Sequence, residues 1–179
     1  MIDFIQLRNA IFAGLNDYLD CLVVEANQAQ TKPPYPYMTI LFSGPFEAGS
    51  AHTGNIYIGD NGPDDVDLIL AKDQIMALSL TAICETGDQA QQYAVNAAEW
   101  FHWQGEQHLK NSGIVVVGSG AITNRDIALI EDFERRVGFD VQLRVLSLSS
   151  RKESWIGQIK RTRKDQTVEP FDLNKKELL

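Results

Sequence analysis

Cysteine is nearly absent. Cys21 and Cys84 are the only two in 179 residues, too few for a disulfide scaffold or a four-cysteine zinc site. Histidine is scarce as well, with His52, His102 and His108. His102 and His108 stand six apart in a segment expected to be helical, so they face different ways and cannot share a metal, which needs an i, i+4 pair. No apolar run approaches the roughly 18 residues of a membrane span. The opening Met1-Ile2-Asp3-Phe4 carries an acid early and no basic region, so no secretory signal is expected there. Internal repeats and low-complexity tracts are missing. Basic charge is in short supply: 16 Lys and Arg against 24 Asp and Glu leave a net of −8, which argues against a surface that grips nucleic acid throughout. What remains, 44% hydrophobic and 22% charged residues, is ordinary for a folded domain. A soluble protein of a reducing compartment is expected.

The charge is unevenly spread. Residues 1–150 hold 8 basic and 19 acidic side chains, a net of −11, whereas residues 151–179 hold 8 basic and 5 acidic, a net of +3. The chain divides on this basis into a body, 1–150, and a basic C-terminal arm, 151–179. An acidic body and a basic arm are complementary surfaces, so an arm lying on a neighbouring copy would favour assembly. The alternative is a solvated terminus.

Periodicity predicts a helix over 3–19, capped by Asp3, with Phe4, Leu7, Ile11, Leu15 and Tyr18 or Leu19 on one face. Cys21 to Val24 reads as a short strand, and Pro33-Pro34-Tyr35-Pro36 forbids both helix and central strand. Tyr37 to Phe42 is rich in β-formers. Residues 43–74 carry turn signals and are expected to be an irregular loop or a hairpin, with a weak strand from His52 to Ile58. Ile75 to Cys84 is a strand with Met76, Leu78, Leu80, Ala82 and Cys84 on one face. A second helix is predicted over 88–109 with Ala90, Tyr93, Ala94, Ala97 and Phe101 on one side. Ile114 to Val117 and, more weakly, Ile127 to Ile130 read as strands. Phe139 to Leu148 alternates strictly until Leu146 and Leu148 turn apolar on the polar face, which a bulge or burial of both faces would explain. The order gives an α+β class, two helices packed on a mostly antiparallel or mixed sheet, with the 43–74 segment and a C-terminal tail.

Chemistry is hard to find in this chain. Ser43, Ser119 and Ser149 lack a nucleophile-elbow context, and the cysteines read as small hydrophobes. Asp60, Asp64, Asp65 and Asp67 could offer oxygens to calcium, but Pro63 occupies a spacer and no glutamate closes the loop. Gly118-Ser119-Gly120 lacks the third glycine of a dinucleotide loop, with Thr123 in its place. No catalytic constellation emerges, and no cofactor or metal site is assigned. Trp100, Phe101 and Trp103 cannot all point inward from one helix, so one of them is expected to meet another element or another subunit. Trp155, in an arm with few apolar neighbours, reads as a contact.

Three stretches carry a resemblance: Pro34-Tyr35-Pro36-Tyr37-Met38-Thr39-Ile40, Ile83-Cys84-Glu85-Thr86-Gly87-Asp88, and Asp132-Phe133-Glu134-Arg135-Arg136-Val137-Gly138-Phe139-Asp140-Val141. Over roughly residues 3–150, leaving out 43–74, the chain resembles the neck or tail terminator proteins of tailed bacteriophages. The resemblance implies a structural α+β protein and no catalytic residues. It implies a ring, usually of six copies, that caps the tail tube, stops its growth and presents a surface to the head connector. Genomic double-stranded DNA would pass through the opening without specific binding. The place would be the virion neck, after assembly in the host cytoplasm. The alternative kept beside it is another head–tail joining component, a head-completion or stopper protein or a tube-like subunit. A small metal-binding module or enzyme built on the 60–67 acids ranks below both. Candidate interface residues are Glu134, Arg135, Arg136, Trp103, Trp155, Arg161 and Arg163. Arg135 and Arg136 either pair locally with Glu131, Asp132 and Glu134 or bridge to the next subunit.

Overall fold

Asp3 accepts a hydrogen bond from the Gln6 backbone N–H at 3.0 Å, satisfying one of the free donors at a helix start, and so opens α1 (Phe4–Tyr18). The computed structural model describes residues 2–28, 31–48, 55–60, 65–129, 133–154, 158–159, 162–163, 166–167 and 171–172. Leu7, Ile11, Gly14 and Leu15 form the buried stripe of α1, and Leu19 closes it from just beyond the helix. β1 (Leu22–Glu25) follows. It runs parallel to β2 (Tyr37–Ala48), with Leu22 opposite Tyr37. The intervening segment contains a cis Tyr35–Pro36 bond.

β3 (Asn55–Asp60) pairs antiparallel with the first part of β4 (Asp65–Cys84). Of the two alternatives for 43–74, the hairpin is the one that forms, and the strand expected from Ile75 begins at Asp65. In the early part of β4 the polar–apolar alternation over Asp65 to Leu68 is too short to stand out before Leu68, Ile69 and Leu70 follow in succession, which is why its strand character was hidden. Further along, Met76, Leu78, Leu80, Ala82 and Cys84 all enter the core as predicted. Thr86 caps α2 (Gly87–Glu99), whose buried side consists of Ala90, Ala94 and Ala97.

The second helix does not run to 109. A π-helical turn, Trp100–Gln104, interrupts it before α3 (Glu106–Asn111). The Gly105 N–H reaches back five residues to the Trp100 carbonyl at 2.7 Å, and the widened turn rotates the following side chains. Trp100 and Phe101 are thereby both buried while Trp103 is 72% exposed. Trp100 sits where only glycine backbones leave room: a Cβ built on either Gly14 or Gly105 would come within 2.4 Å of its indole.

β5 (Ile114–Ser119), β6 (Thr123–Asn124) and β7 (Ile127–Ala128) each pair antiparallel with β8 (Phe133–Ser154). The order β1-β2-β4-β8-β5 makes a mixed sheet, which together with the helices is the α+β class read from the sequence. β8 is much longer at both ends than Phe139 to Leu148. Leu146 and Leu148 are each about half exposed, so the burial of both faces offered for them does not occur within the chain. A register shift falls instead between Val116 and Gly118 of the neighbouring strand. Phe139, Val141, Leu143 and Val145 face the helices and complete the core.

The chain separates into two compact units. One comprises residues 1–53 and 73–147 and contains the helices and the core. The other comprises 54–72 and 148–179. It contains the β3 hairpin and two small antiparallel pairs, β9 (Gln158–Ile159) with β12 (Phe171–Asp172) and β10 (Thr162–Arg163) with β11 (Gln166–Thr167).

Candidate functional site: a candidate assembly interface

The inward alternation of β8 fixes what its other face carries, because successive side chains of a strand point to opposite sides. Glu134, Arg136, Gly138, Asp140, Gln142 and Arg144 form a polar row on the side away from the helices. Two networks are built on this row.

The first pins the segment after β1. Glu134 is the one buried charged side chain among the described residues, 4% exposed. Its carboxylate pairs with Lys32 on one oxygen and with Arg136 on the other. Tyr35 Oη donates to the same oxygen as Lys32 at 2.9 Å. Burial pushes the Glu134 carboxyl up, but these hydrogen bonds outweigh it and hold it below the usual carboxylate range. Its bond to Glu134 first, and then its bond to Tyr35, raise the Lys32 ammonium. Tyr35 stacks on Tyr37 at 6.0 Å. Beside the cluster lies a groove of about 290 Å³ lined by Glu25, Asn27, Lys32, Thr39, Glu134 and Arg136.

The second network crosses the sheet. Arg125, between β6 and β7, donates from Nη1 to Ser79 Oγ at 2.8 Å and Thr81 Oγ1 at 3.2 Å, and from Nη2 to Asp140 at 3.0 Å. Gly138 leaves the space: a Cβ there would meet the Leu80 carbonyl at 2.2 Å and Arg125 Nη1 at 3.0 Å. Asp126 accepts from the Arg136 backbone N–H at 2.7 Å and pairs with Arg135 at 3.2 Å. The backbone bond first, and the side-chain bonds after it, hold the Asp126 carboxyl low. The Gly138→Ala protein should therefore lose about 2 kcal/mol, in the range for overpacking, read as a lower urea midpoint. An unchanged midpoint would show that β4 and β8 separate freely at this point.

Within the chain Arg136 pairs with Glu134, and Arg135 pairs with Asp126. Glu131, Asp132, Trp155 and Arg161 lie outside the described residues. Arg163 lies in β10, whose backbone pairs with Gln166 and Thr167. Trp103 is the exposed member of its aromatic group. Lys32, Tyr35 and Arg125 escaped the sequence reading. Their roles depend on partners 102, 99 and 46 residues away respectively, a separation that no local spacing encodes.

The remaining chemical candidates have structural positions. His102 Nε2 lies 2.7 Å from Ser119 Oγ, and His108 Nε2 donates to the Ala10 carbonyl at 2.8 Å. Gly118 and Ser119 belong to β5 and the Gly120 N–H donates to the Asp140 carbonyl, so this segment forms no phosphate-binding turn. His52 and Asp64 lie outside the described residues. Cys21 and Cys84 are free thiols, each pushed up to about 11 by burial. Among the described residues no three His, Cys, Asp or Glu are grouped to hold a metal, and no helix is long and apolar enough to cross a membrane.

The two charge networks lie on one face of β8, and Trp103 is exposed on the π-helical turn. The chain matches the model of the phage neck terminator protein family over residues 9–169. It belongs to that family. The match runs through 43–74 and far into the basic arm, both of which the resemblance left uncovered. A search of curated proteins returns no match. Phage neck terminators are structural, so the chain is a bacteriophage neck component of the virion that associates with other head or tail parts.

Proposed function

We propose that this neck terminator assembles with copies of itself into a ring, six-membered as the resemblance implies, that caps the tail tube. The cap stops tube growth and offers the docking surface for the head connector. Genomic DNA passes through the opening during packaging and ejection. The subunits are made and assembled in the host cytoplasm, and no reaction is catalysed. The family match over 9–169 carries this reading. The charge split supports it: an acidic body repels phosphates and so suits a passage that DNA must not stick to. Complementary patches on one chain also suit head-to-tail closure, where one surface meets a different one on the next copy.

Light scattering of the purified chain, with negative-stain images of the same sample, tests it. Rings of six, alone or on adding tail tube protein, are the expected result. A monomer under both conditions would overturn it.

The basic arm is proposed to contribute to this contact. β8 continues through Ser150 to Ser154, so the informative truncation ends at Ser154. The truncated protein should keep its circular dichroism and assemble more weakly. Raising salt should loosen the full-length assembly, since exposed charges are screened beyond a Debye length of about 10 Å at 0.1 M. Equal assembly of both proteins at low and high salt would remove the arm from the interface.

A further inference from the structure

The two ends of the sheet are treated differently. At the β1 end, Asn16 of α1 accepts the Val23 backbone N–H at 3.0 Å, so a helix side chain already occupies that edge. At the other end β5 pairs, among the described residues, with β8 alone. A strand edge left this way is a template for another strand. β5 is also flanked by apolar surface. Val115 and Val117 are 38% and 54% exposed, and a hollow of about 150 Å³ beside them is lined by Phe101, His102, Leu109, Lys110 and Val116. The π-helical turn that supplies Phe101 and His102 also carries the exposed Trp103.

β3 has the matching character. Among the described residues it pairs with β4 alone, and Ile56, Tyr57 and Ile58 are 65%, 55% and 64% exposed. Neighbouring residues of a strand point to opposite faces, so both faces of β3 and, among the described residues, one edge are open. β3 and β5 are each six residues long.

We infer that the open edge of β5 receives β3 of a neighbouring copy, so that strand addition joins successive subunits. The inference rests on the ring proposed above and names the surfaces that close it. The contact joins two different surfaces, and repetition of such a heterologous contact gives a ring when the rotation per subunit closes. Ile56, Tyr57 and Ile58 on one copy, with Trp103, Val115 and Val117 on the next, expose on the order of 800 Å² of mostly apolar surface. A specific interface buries about 1,200–2,000 Å² in all, so these six side chains supply roughly half of one. The paired backbones and their flanks would supply the rest.

Cross-linking between full-length chains tests this. Protein carrying Tyr57→Cys is mixed with protein carrying Val117→Cys and treated with a short bismaleimide; wild-type protein reports any reaction at Cys21 and Cys84. A linked dimer is expected in the mixture and in neither protein alone, and a chain carrying both changes should give a ladder. The exposed pair Val115→Lys and Val117→Lys should shift the mass from ring to monomer with unchanged circular dichroism, whereas Leu41→Lys, also at an exposed sheet position, should not. Rings without the mixed cross-link would overturn the strand pairing and leave the ring standing. A Val117→Cys protein that links to itself would overturn it in favour of a self-paired edge. A wild-type chain that stays monomeric with tube protein would remove the ring and this contact together.

Discussion

The Trp100→Ala protein is expected to lose about 4 kcal/mol of stability, within the range for emptying a large aromatic site. For a chain of this size that is a fall in Tm of roughly 8–16 °C. The reason lies in how the indole is enclosed. Gly14 of α1 and Gly105 after the π-helical turn both approach it so closely that neither tolerates a Cβ. Phe101 meets it edge-on at 4.9 Å. Walls made of helix backbone cannot collapse into the vacated volume, so the cavity persists and the loss is near the full cavity cost. Trp103→Ala, three residues on and exposed in the isolated subunit, should change the stability of the unassembled chain by no more than about 0.5 kcal/mol, as surface positions do. Similar losses for the two variants would mean that the widened turn does not divide inward from outward aromatics.

Replacing Glu134 by alanine should remove about 3 kcal/mol, the lower end of the range for breaking a buried ion pair. Lys32 and Arg136 would lose their shared carboxylate, but their side chains are 49% and 31% exposed and can take up water instead. The segment holding Lys32 and Tyr35 would also lose its anchor to β8, so proteolytic cleavage near Lys32 should accelerate. The pH dependence has a definite sign. A carboxyl held below its usual value stabilises the fold at pH values above the unfolded pKa of about 4.3, and that contribution fades as pH falls through the folded value. Asp126 is depressed by its bond from the Arg136 N–H, and Asp140 by its bond from Ser79, so both act in the same direction. The wild-type urea midpoint should hold from pH 7 to 5 and drop below about 4. Glu134→Gln should start lower at pH 7 and fall less steeply, because one of the three depressed groups is gone. Parallel curves for the two proteins would show that the Glu134 cluster does not contribute to acid sensitivity.

What was legible in the chain was whatever repeats at short range. The stripe of α1, the core faces of β4 and β8 and the small-residue side of α2 follow from periods of 3.6 and 2. The segment 43–74 was legible only as a choice between loop and hairpin. The first part of β4 alternates only over Asp65 to Leu68 before an apolar run, and its pairing with β3 is a property of two strands together. The break after Glu99 was hidden for a related reason. Trp100, Phe101 and Trp103 signalled that one helix could not bury them all, yet the solution, a single widened turn, depends on the glycines that receive Trp100.

Glu134, Arg135 and Arg136 could be marked as a charged group from their adjacency, but not which charge is buried or with whom it pairs. Composition determined that the chain is acidic in its body and basic in its arm, and that it holds no recognisable catalytic set. Local pattern determined an α+β fold, and motif resemblance pointed to the phage neck. Tertiary structure alone decided that Lys32 and Tyr35 meet Glu134, that Arg125 lies across β4 and β8 in the space above Gly138, and that β5 is paired on one side only among the described residues. Helix and strand periods are set by bonds between near neighbours, so a sequence displays them directly. Ion pairs, close backbone approaches and free edges arise only when segments far apart in the chain are brought together, and the energy that selects them comes from burial of the whole core.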